Sequence, residues 1–202
     1  KAFVIENVPN LLTTSDSYFF NLIKEDCEKM GYTINAKILD ASDFGVPQQR
    51  KRAFIVGIKE NQVFDFSKLD YKEPPKLDEI FSDLPSLEAG EGKDMYDYIS
   101  TAKTEYQKKK KKKSITVKNH QATNHSKIVL ERLKIIPHEG GGKESLPEEH
   151  LTKSIYSGTW TRLRSDGIAR TITTRFDTPS SGQFTLPKQD RCLTVREAAR
   201  IQ

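Results

Sequence analysis

The chain of 202 residues is long enough for one large or two small domains. Its 33 lysines and arginines exceed its 28 aspartates and glutamates, and the net charge of +5 is compatible with a nucleic-acid partner without requiring one. Two cysteines without close spacing exclude a disulfide scaffold, and no apolar run reaches membrane-spanning length, so we expect a cytoplasmic protein with no membrane partner.

The first part of the chain predicts strands around one helix. A short apolar strand opens it, and the helix that follows is expected to be capped by Ser15 or Asp16 and closed by Gly31. Residues 32–39 and 53–58 are typical of two further strands. This order of elements is that of half an α/β sheet.

Two polar clusters adjoin these strands. Glu6 and Asn7 directly follow the first strand, where a buried strand meets a loop. Gln48, Arg50 and Arg52 occupy alternate positions before the last strand, so on an extended backbone their side chains point the same way. A carboxylate facing a set of donors is a candidate site for a polar, partly anionic substrate. Taken alone, the glutamate is also typical of a helix cap, and the basic residues of a solvated strand edge.

From about residue 76 onward the periodicity weakens, which indicates a smaller, irregular domain. A helix is predicted at residues 126–135 with Asn124 as its cap. Thr194 and Glu197 form a capping box, so a helix is expected to begin there. Short strands of a small sheet are predicted at residues 159–164, 169–176 and 182–186.

An unbroken lysine run interrupts this part of the chain. It consists of Lys108, Lys109, Lys110, Lys111, Lys112 and Lys113. Because six adjacent ammonium groups cannot pack in a core, we expect a mobile loop here.

Three segments occur in a fixed order along the chain. They are Glu-Asn-Val at residues 6–8, Gln-x-Arg-x-Arg at 48–52, and Arg-x-Leu-Thr-x-Arg-Glu-x-Ala-Arg at 191–200. In this order and spacing the chain resembles the bacterial DNA cytosine-5 methyltransferases over nearly its whole length. Smaller matches lie at residues 81–92, 119–120, 130–137 and 171–182.

The resemblance implies a fold and a division into domains. Residues 1–75 would be part of a Rossmann-like, S-adenosylmethionine-dependent methyltransferase sheet, which makes the fold class α/β. Residues 76–188 would be a small, mostly-β target-recognition domain, and residues 189–202 the start of a helix returning to the catalytic domain. Double-stranded DNA would be the partner, in a bacterial restriction-modification system.

The resemblance also implies a chemistry. Glu6 would share a proton with N3 of a flipped cytosine, and Arg52 would lie near O2. Arg50 would hold an adjacent phosphate or brace Glu6. Asn7 and Gln48 would hold the strand and loop that form the pocket.

Candidates for DNA contact follow from the same resemblance. The lysine run is expected on phosphates, and Arg162, Arg164, Thr173 and Arg175 are expected in a groove. Two structural alternatives remain open, because Thr173 is also typical of one face of a strand and Arg164 could pair with Asp166.

The third segment suggests a structural role. Arg196, Glu197 and Arg200 are interpreted as an ion-pair scaffold between the domains. His120 and His125 lack a further ligand at metal-binding spacing, so we expect hydrogen-bonding histidines and no metal.

The family's Gly-rich cofactor loop and Pro-Cys nucleophile precede the Glu-Asn-Val segment, and neither motif occurs in this sequence. Cys27 lies in an apolar helical stripe and Cys192 abuts the final helix, so both are expected to be buried. The chain alone is therefore expected to be inactive and to lack the main S-adenosylmethionine loop. It could be one half of a split methyltransferase with a complementary N-terminal half, or a DNA-binding module without a catalytic role.

Overall fold

The computed structural model describes residues 1–111, 114–153 and 157–202. These residues form two compact units. The first unit comprises Lys1–Gly45 and Gln49–Glu73, and the second comprises Val46–Gln48 and Pro74–Gln202. The predicted domain boundaries concern the parent enzyme and stay a prediction.

The first unit is built on a three-stranded sheet. Its elements, in chain order, are β1 (Ala2–Asn7), α1 (Tyr18–Lys29), β2 (Tyr32–Asp40), β3 (Gln48–Gln49) where the chain passes between units, and β4 (Lys51–Lys59). The long strand β4 is central and antiparallel to both β1 and β2. Its Ala53 and Ile55 are fully buried, as an alternating apolar central strand predicts. At Gly57 an added Cβ would lie 2.2 Å from the Phe3 ring, so only glycine lets this ring lie on the strand.

Helix α1 begins differently from the prediction. Its N-cap is Ser17, which adopts a left-handed backbone and makes no side-chain cap. The predicted caps Ser15 and Asp16 are also left-handed, so that capping prediction is wrong. Gly31 has φ +79° and closes the helix as predicted.

The apolar stripe of α1 is also less buried than the sequence indicates. Cys27 is buried, whereas Phe19, Leu22 and Met30 are between 43% and 58% exposed. Within this chain the stripe is therefore a core stripe only at Cys27.

The second unit mixes short helices with two small two-stranded sheets, one of which is completed by β3. Its elements are α2 (Leu77–Phe81), β5 (Gly92–Asp97), α3 (Glu105–Lys111), β6 (Thr116–Gln121), α4 (Lys127–Ile135), β7 (Ala169–Arg170) and α5 (Val195–Ile201). Its main core cluster includes Leu77 and Ile80 of α2, Leu163, Phe184, and Ile201 of α5. The final helix thus packs within the second unit.

The strand and cap predictions for this unit need correction. Among the three strand predictions, the described residues contain a ladder strand only at Ala169–Arg170. The others are replaced by isolated bridges from Thr185 to Arg162 and to Cys192. Helix α4 begins after Ser126, so Asn124 is not its cap. The backbone of this unit is irregular because its loops are connected by side-chain hydrogen bonds more than by strand ladders.

The lysine run is not a loop where the structure describes it. Lys108–Lys111 form the C-terminal part of α3, which is anchored by buried Gln107. The Gln107 amide donates to Glu79 O at 2.7 Å and to Ser82 Oγ at 2.9 Å. Lys112 and Lys113 lie outside the described residues. In the described part of the chain, the helices are too short or too polar to cross a membrane.

Candidate functional site

Strand register brings the first candidate residues together. Glu6 of β1 lies opposite Phe54 of β4, and Leu39 of β2 lies opposite Arg52. Opposed residues of antiparallel strands share a face, and Arg52 is two positions from Phe54. Hence Glu6, Leu39, Arg52 and Phe54 lie on one face of the sheet.

This face forms the floor of a pocket of about 340 Å³. Its walls combine apolar side chains with the predicted acid and arginines. The lining residues are Glu6, Leu39, Asp40, Ala41, Phe44, Arg50, Arg52, Phe54 and Leu69. An apolar pocket with a few convergent polar groups is the common form of a small-molecule or base site.

The carboxylate and one guanidinium are in direct contact. Arg52 Nε lies 2.9 Å from Glu6 Oε1, and Arg52 Nη1 donates to the carbonyl of Lys51 at 2.7 Å. The side chain of Arg52 is 22% exposed and that of Glu6 is 48% exposed. The pair is therefore open on the side of the carboxylate, where a ligand could reach the other oxygen.

Arg50 is held differently. Its backbone N–H donates to Asp40 Oδ1 at 2.8 Å, and Asp40 also accepts from the backbone of Ser42. The guanidinium of Arg50 lines the pocket and has no hydrogen bond or ion pair within the described part of the chain. Asp40 is a residue that sequence reasoning missed; an aspartate two residues before a turn serine is the signal that could have identified it.

The two pocket-support candidates lie outside the pocket. Asn7 Oδ1 accepts from the backbone of Val8 at 2.8 Å, which is a local contact at the end of β1. Gln48 belongs to the second unit, where it is buried and accepts from the backbone of Ile172 at 3.0 Å. The prediction that the side chains of Gln48, Arg50 and Arg52 point the same way therefore holds only for the two arginines.

In the second unit, the residues predicted to lie in a DNA groove differ in their burial. Arg162 is 1% exposed, and its guanidinium donates to the backbone of Leu133, Ile136, Leu186 and Gln189 and pairs with Asp190. All of its donors thus lie inside the protein. The expected DNA contact of Arg162 is therefore corrected to a scaffolding role.

The other groove candidates are exposed. Arg164 makes two hydrogen bonds to Asp166, at 3.0 and 2.9 Å, as in the structural alternative. Thr173 is exposed, and the Arg175 side chain is 69% exposed, with a hydrogen bond of 3.4 Å to Thr178 Oγ1 and a contact of 3.9 Å to Asp177. Thr173 and Arg175 are thus accessible to a ligand, whereas Arg164 already has a partner.

The lysines of α3 fall into two kinds. Lys108 pairs with Glu105 in the same helix, and Lys109 is exposed. Lys110 lies over the Tyr106 ring, and Lys111 lies 4.1 Å from the Tyr98 ring centre and donates to Ser100 O. Burial lowers the pKa of Lys110, with a smaller effect from neighbouring cations.

The third segment forms buried ion pairs. Arg191 donates to both carboxylate oxygens of Glu197, at 2.8 and 2.9 Å, and Glu197 also accepts from the backbone of Thr194. Thr194 and Glu197 form the predicted capping box of α5. Arg200 pairs with Asp83, and both side chains are at most 2% exposed. Asp83 carries no sequence signal of this role.

The remaining member of the segment, Arg196, is attached to β6. Its Nε donates to the carbonyl of Lys118 at 2.7 Å. Arg196, Glu197 and Arg200 therefore each connect α5 to another part of the second unit.

Two buried histidines join this scaffold. His120 Nδ1 lies 2.9 Å from Thr194 Oγ1 and its Nε2 lies 2.9 Å from Pro85 O. His125 Nε2 accepts from the backbone N–H of Cys192 at 3.2 Å. Burial is the main cause that lowers the pKa of each imidazole. Their interpretation as hydrogen-bonding histidines is confirmed.

Both cysteines are buried, as expected. Burial raises the pKa of Cys27, and it raises the pKa of Cys192 to about 12. Neither thiol carries the thiolate character that a nucleophile requires.

Comparisons of this chain with known proteins agree on one family. The profile of the C-5 cytosine-specific DNA methylases matches residues 1–202. Type II methyltransferase M.DdeI of Desulfomicrobium norvegicum is 33% identical over 221 residues, covering 100% of this chain and 52% of that protein. M.Bpa9945I of Bacillus paralicheniformis is 31% identical, with 100% and 52% covered. The chain thus spans about half the length of these relatives.

A solved structure supports the fold. A prophage-encoded protein of E. coli, described as a DNA modification methyltransferase, superposes with a TM-score of 0.70 at 22% identity. The match covers 99% of this chain and 58% of the E. coli chain. The mixed α/β fold predicted from the sequence is therefore confirmed.

Proposed function

Because the chain belongs to the C-5 cytosine-specific DNA methylase family, we propose that it supplies the cytosine pocket and the target-recognition region of a type II DNA methyltransferase. The parent enzyme transfers a methyl group from S-adenosylmethionine to C5 of a cytosine in a specific duplex sequence, as part of restriction-modification. We assign no residue of this chain to the cofactor.

One observation carries the proposal: the contact between Glu6 and Arg52 in a pocket with apolar walls. N3 and O2 are adjacent on one edge of cytosine. A carboxyl group beside a guanidinium matches that edge, because the first can share a proton with N3 while the second donates to O2. The exocyclic amine can donate to the same carboxyl group, which distinguishes cytosine from thymine.

Attack of a nucleophile at C6 moves electron density onto N3 and O2. Groups fixed beside these atoms stabilise that density without reorganising during the reaction. Arg52 is fixed by the carbonyl of Lys51 as well as by Glu6. Of the two roles left open for Arg50, the contact with Glu6 is made by Arg52 instead, so we assign Arg50 to a phosphate beside the flipped nucleotide.

The recognition region is assigned to the second unit. Of the exposed groove candidates, Thr173 and Arg175 are assigned to the groove, because Arg164 is held by Asp166, and the exposed lysines of α3 are assigned to phosphates. The buried ion pairs around Glu197 and Arg200 maintain the position of α5 in this unit.

A complementary half is proposed as the protein partner. Neither cysteine of this chain is suited to attack C6, so the nucleophile comes from elsewhere. Within the described part of the chain β1 pairs only with β4, which leaves one edge of β1 open to a further strand.

Methyl transfer tests the proposal. The chain is combined with the N-terminal half of the D. norvegicum relative, and transfer of a labelled methyl group to duplex DNA is measured for each half alone and for the mixture. We expect activity only in the mixture, and expect Glu6→Gln to remove most of it while leaving duplex binding in place. Activity of this chain alone would contradict the assignment of the nucleophile to the other half.

A further inference from the structure

A second groove lies in the second unit, where the antiparallel β5–β6 pair, a hairpin whose long connection includes α3, meets the start of α5. Its volume is about 490 Å³, and it is lined by Asp94, Asn119, Gln121, Ala122, Thr123 and Val195. None of these residues belongs to the pocket of Glu6 and Arg52. The groove combines polar side chains on the hairpin with two small apolar contributions.

The polar side chains of this groove are free. Asp94, Asn119 and Gln121 are exposed. Within the described part of the chain, their carboxylate and amide groups make no hydrogen bond or ion pair. The groove therefore presents one acceptor-only group and two groups that both donate and accept.

The backbone at Asn119 accounts for this arrangement. On either side of it the hairpin is in register, with Lys118 opposite Met95 and His120 opposite Lys93. Asn119 itself has φ +59°, a left-handed conformation inside a strand. His120 is fully buried, whereas Asn119 and Gln121 both line the groove. Val117 and His120 are both fully buried although they are three positions apart, so the left-handed residue shifts the alternation of the strand by one position between them. Asn119 and Gln121 then share the exposed face.

Exposed cations lie beside the groove, together with the carboxylates of Asp94 and Asp97 on β5 and of Glu91 just before it. Lys93 and Lys118 are exposed on the hairpin, and Arg196 of α5 attaches to the carbonyl of Lys118. Cations around uncharged amides suit a polyanion whose bases carry hydrogen-bonding edges. A two-stranded antiparallel ribbon also has the width that the major groove of duplex DNA admits.

We propose that this groove reads base edges of duplex DNA, with Asn119 and Gln121 as specificity-determining residues. An Asn or Gln amide pairs with N6 and N7 of adenine, and Asp94 can accept from N4 of cytosine. Lys93 and Lys118 contact the flanking phosphates. This inference rests on the proposed function, because it names further residues that recognise the same DNA.

The test uses the purified chain and a pool of duplexes with a randomised centre between fixed flanks. Bound duplexes are sequenced, and the affinity for the enriched duplex is measured by titration. Asn119→Gly keeps a residue that tolerates positive φ and removes only the amide. We expect this variant, and separately Gln121→Ala, to lose preference at one base position each and to bind the enriched duplex about 5- to 150-fold more weakly.

A matched control lies in the first unit. Asn61 is also exposed and left-handed, with φ +57°, so Asn61→Gly makes the same chemical change outside the groove. It should retain the parental preference and affinity, and Lys118→Gln should weaken binding to all duplexes alike. If Asn119→Gly and Gln121→Ala both keep the parental preference and affinity, the groove does not read bases. If the parental chain enriches no duplex at all, the proposed recognition function fails first.

Discussion

The Glu6 carboxylate uses one oxygen for Arg52, and its side chain is 48% exposed, which leaves the second oxygen accessible to a ligand. This division allows one group to serve two purposes. The contact with Arg52 fixes the orientation of the carboxyl group, while the free oxygen can meet N3 and the exocyclic amine of cytosine. A carboxylate buried on both sides would be fixed but could not bind, and a fully exposed one would not be oriented.

Replacing Glu6 by Gln tests this division. The amide keeps the shape and one acceptor but cannot readily share a proton with N3, so the chemical step should slow by about two to four orders of magnitude. DNA affinity should change little. Single-turnover methylation by the combined halves measures the step, and an independent titration measures affinity. A parental rate in Glu6→Gln would leave Glu6 as a strand-end residue without a catalytic role.

Substitutions of Arg52 and Arg50 should have different effects in the same assay. Arg52→Ala removes the group beside Glu6, so it should act mainly on the chemical step. Arg50→Ala removes a side chain that has no partner within the described part of the chain, so it should act mainly on DNA affinity. Equal effects of both substitutions on the rate would contradict the assignment of Arg50 to a phosphate.

For single residues, the sequence predicts those positions that follow from the alternation of side chains along a strand and from the order of the motifs. Arg50 and Arg52 line one pocket because they are two positions apart beside a strand. Gln48 fails the same rule because β3 ends at Gln49 and the chain passes to another unit. Asp83 escapes prediction, since its partner Arg200 is 117 positions away and no local pattern joins them.

Among the elements, helix α3 determines which lysines can meet DNA. Lys109 faces solvent, and so does Lys108, whose partner Glu105 is itself exposed, whereas Lys111 lies against the Tyr98 ring and donates to Ser100 O. A lysine already held by the protein gains less from a phosphate. The length of the lysine run therefore overstates how many phosphates it can neutralise.

The salt dependence of DNA binding measures how many phosphates are neutralised. Changing Lys108 and Lys109 together to Gln should flatten the slope of log affinity against log salt by about 0.9 for each phosphate that is no longer neutralised. Lys111→Gln is the matched control, and it should leave the slope nearly unchanged while lowering the melting temperature. If Lys111→Gln changes the slope more than the double variant of Lys108 and Lys109 does, then Lys111 contacts the phosphates and the assignment within α3 is reversed.

The two buried histidines connect β6 and the loop before α4 to the C-terminal part of the unit. Because burial lowers the pKa of each, the unfolded chain takes up protons first, at its ordinary pKa of about 6.5. Their contribution to stability is present above that pH and is lost as pH falls towards the folded-state pKa. At His125 protonation of Nε2 would also remove the acceptor of the Cys192 N–H.

Thermal unfolding across a pH range of about 7.5 to 5, which spans the ordinary histidine pKa, tests the contribution of His125. The melting temperature should fall as the pH is lowered, and His125→Gln should reduce that fall because the variant has no imidazole to protonate at this site. His138 is exposed, so His138→Gln is the control and should retain the parental pH dependence. A pH dependence that is unchanged in His125→Gln would assign the acid sensitivity to other groups.

Element prediction succeeds where one face of a regular element is buried. Strand β4 is predictable because Ala53 and Ile55 alternate on its buried face, and β2 because its apolar residues alternate with polar ones. The lysine helix escapes prediction because Gln107 anchors it through Glu79 and Ser82, 28 and 25 positions earlier. The strands predicted at residues 159–164 and 182–186 make only isolated bridges, and the carbonyl of Leu186 accepts from the buried guanidinium of Arg162 instead of from a neighbouring strand.

For the whole molecule, buried charge pairs make the second unit dependent on single side chains. Arg200 and Asp83 are almost fully buried, so removal of one leaves an uncompensated charge inside the protein. Arg200→Met should therefore lower the free energy of unfolding by about 3–5 kcal/mol. Urea denaturation measures it, and Arg200→Met with Asp83→Leu should recover part of the loss.

A matched control for that prediction is an exposed pair of the same chemistry. Arg164 and Asp166 form a bidentate contact at the surface, so Arg164→Met should change the urea midpoint little. A midpoint shift in Arg164→Met as large as that in Arg200→Met would show that burial does not determine the cost.

The first unit, in contrast, leaves apolar surface uncovered within the described residues. Val4 and Val8 are 63% and 51% exposed, and β1 has an open edge. An edge strand of this kind pairs with another chain unless a charge or a bulge prevents it. We therefore expect the chain alone to self-associate and the complementary half to displace that association.

Sedimentation of the purified chain, with and without the N-terminal half of the D. norvegicum relative, tests this expectation. Val4→Lys places a charge on the open strand and should give a monomer, and it should also weaken capture of the complementary half. Ile115 in the second unit is 77% exposed, so Ile115→Lys is the control and should leave the self-association unchanged. If Val4→Lys self-associates as the parent does while Ile115→Lys does not, the second unit carries the contact, and β1 is not the edge that the other half completes.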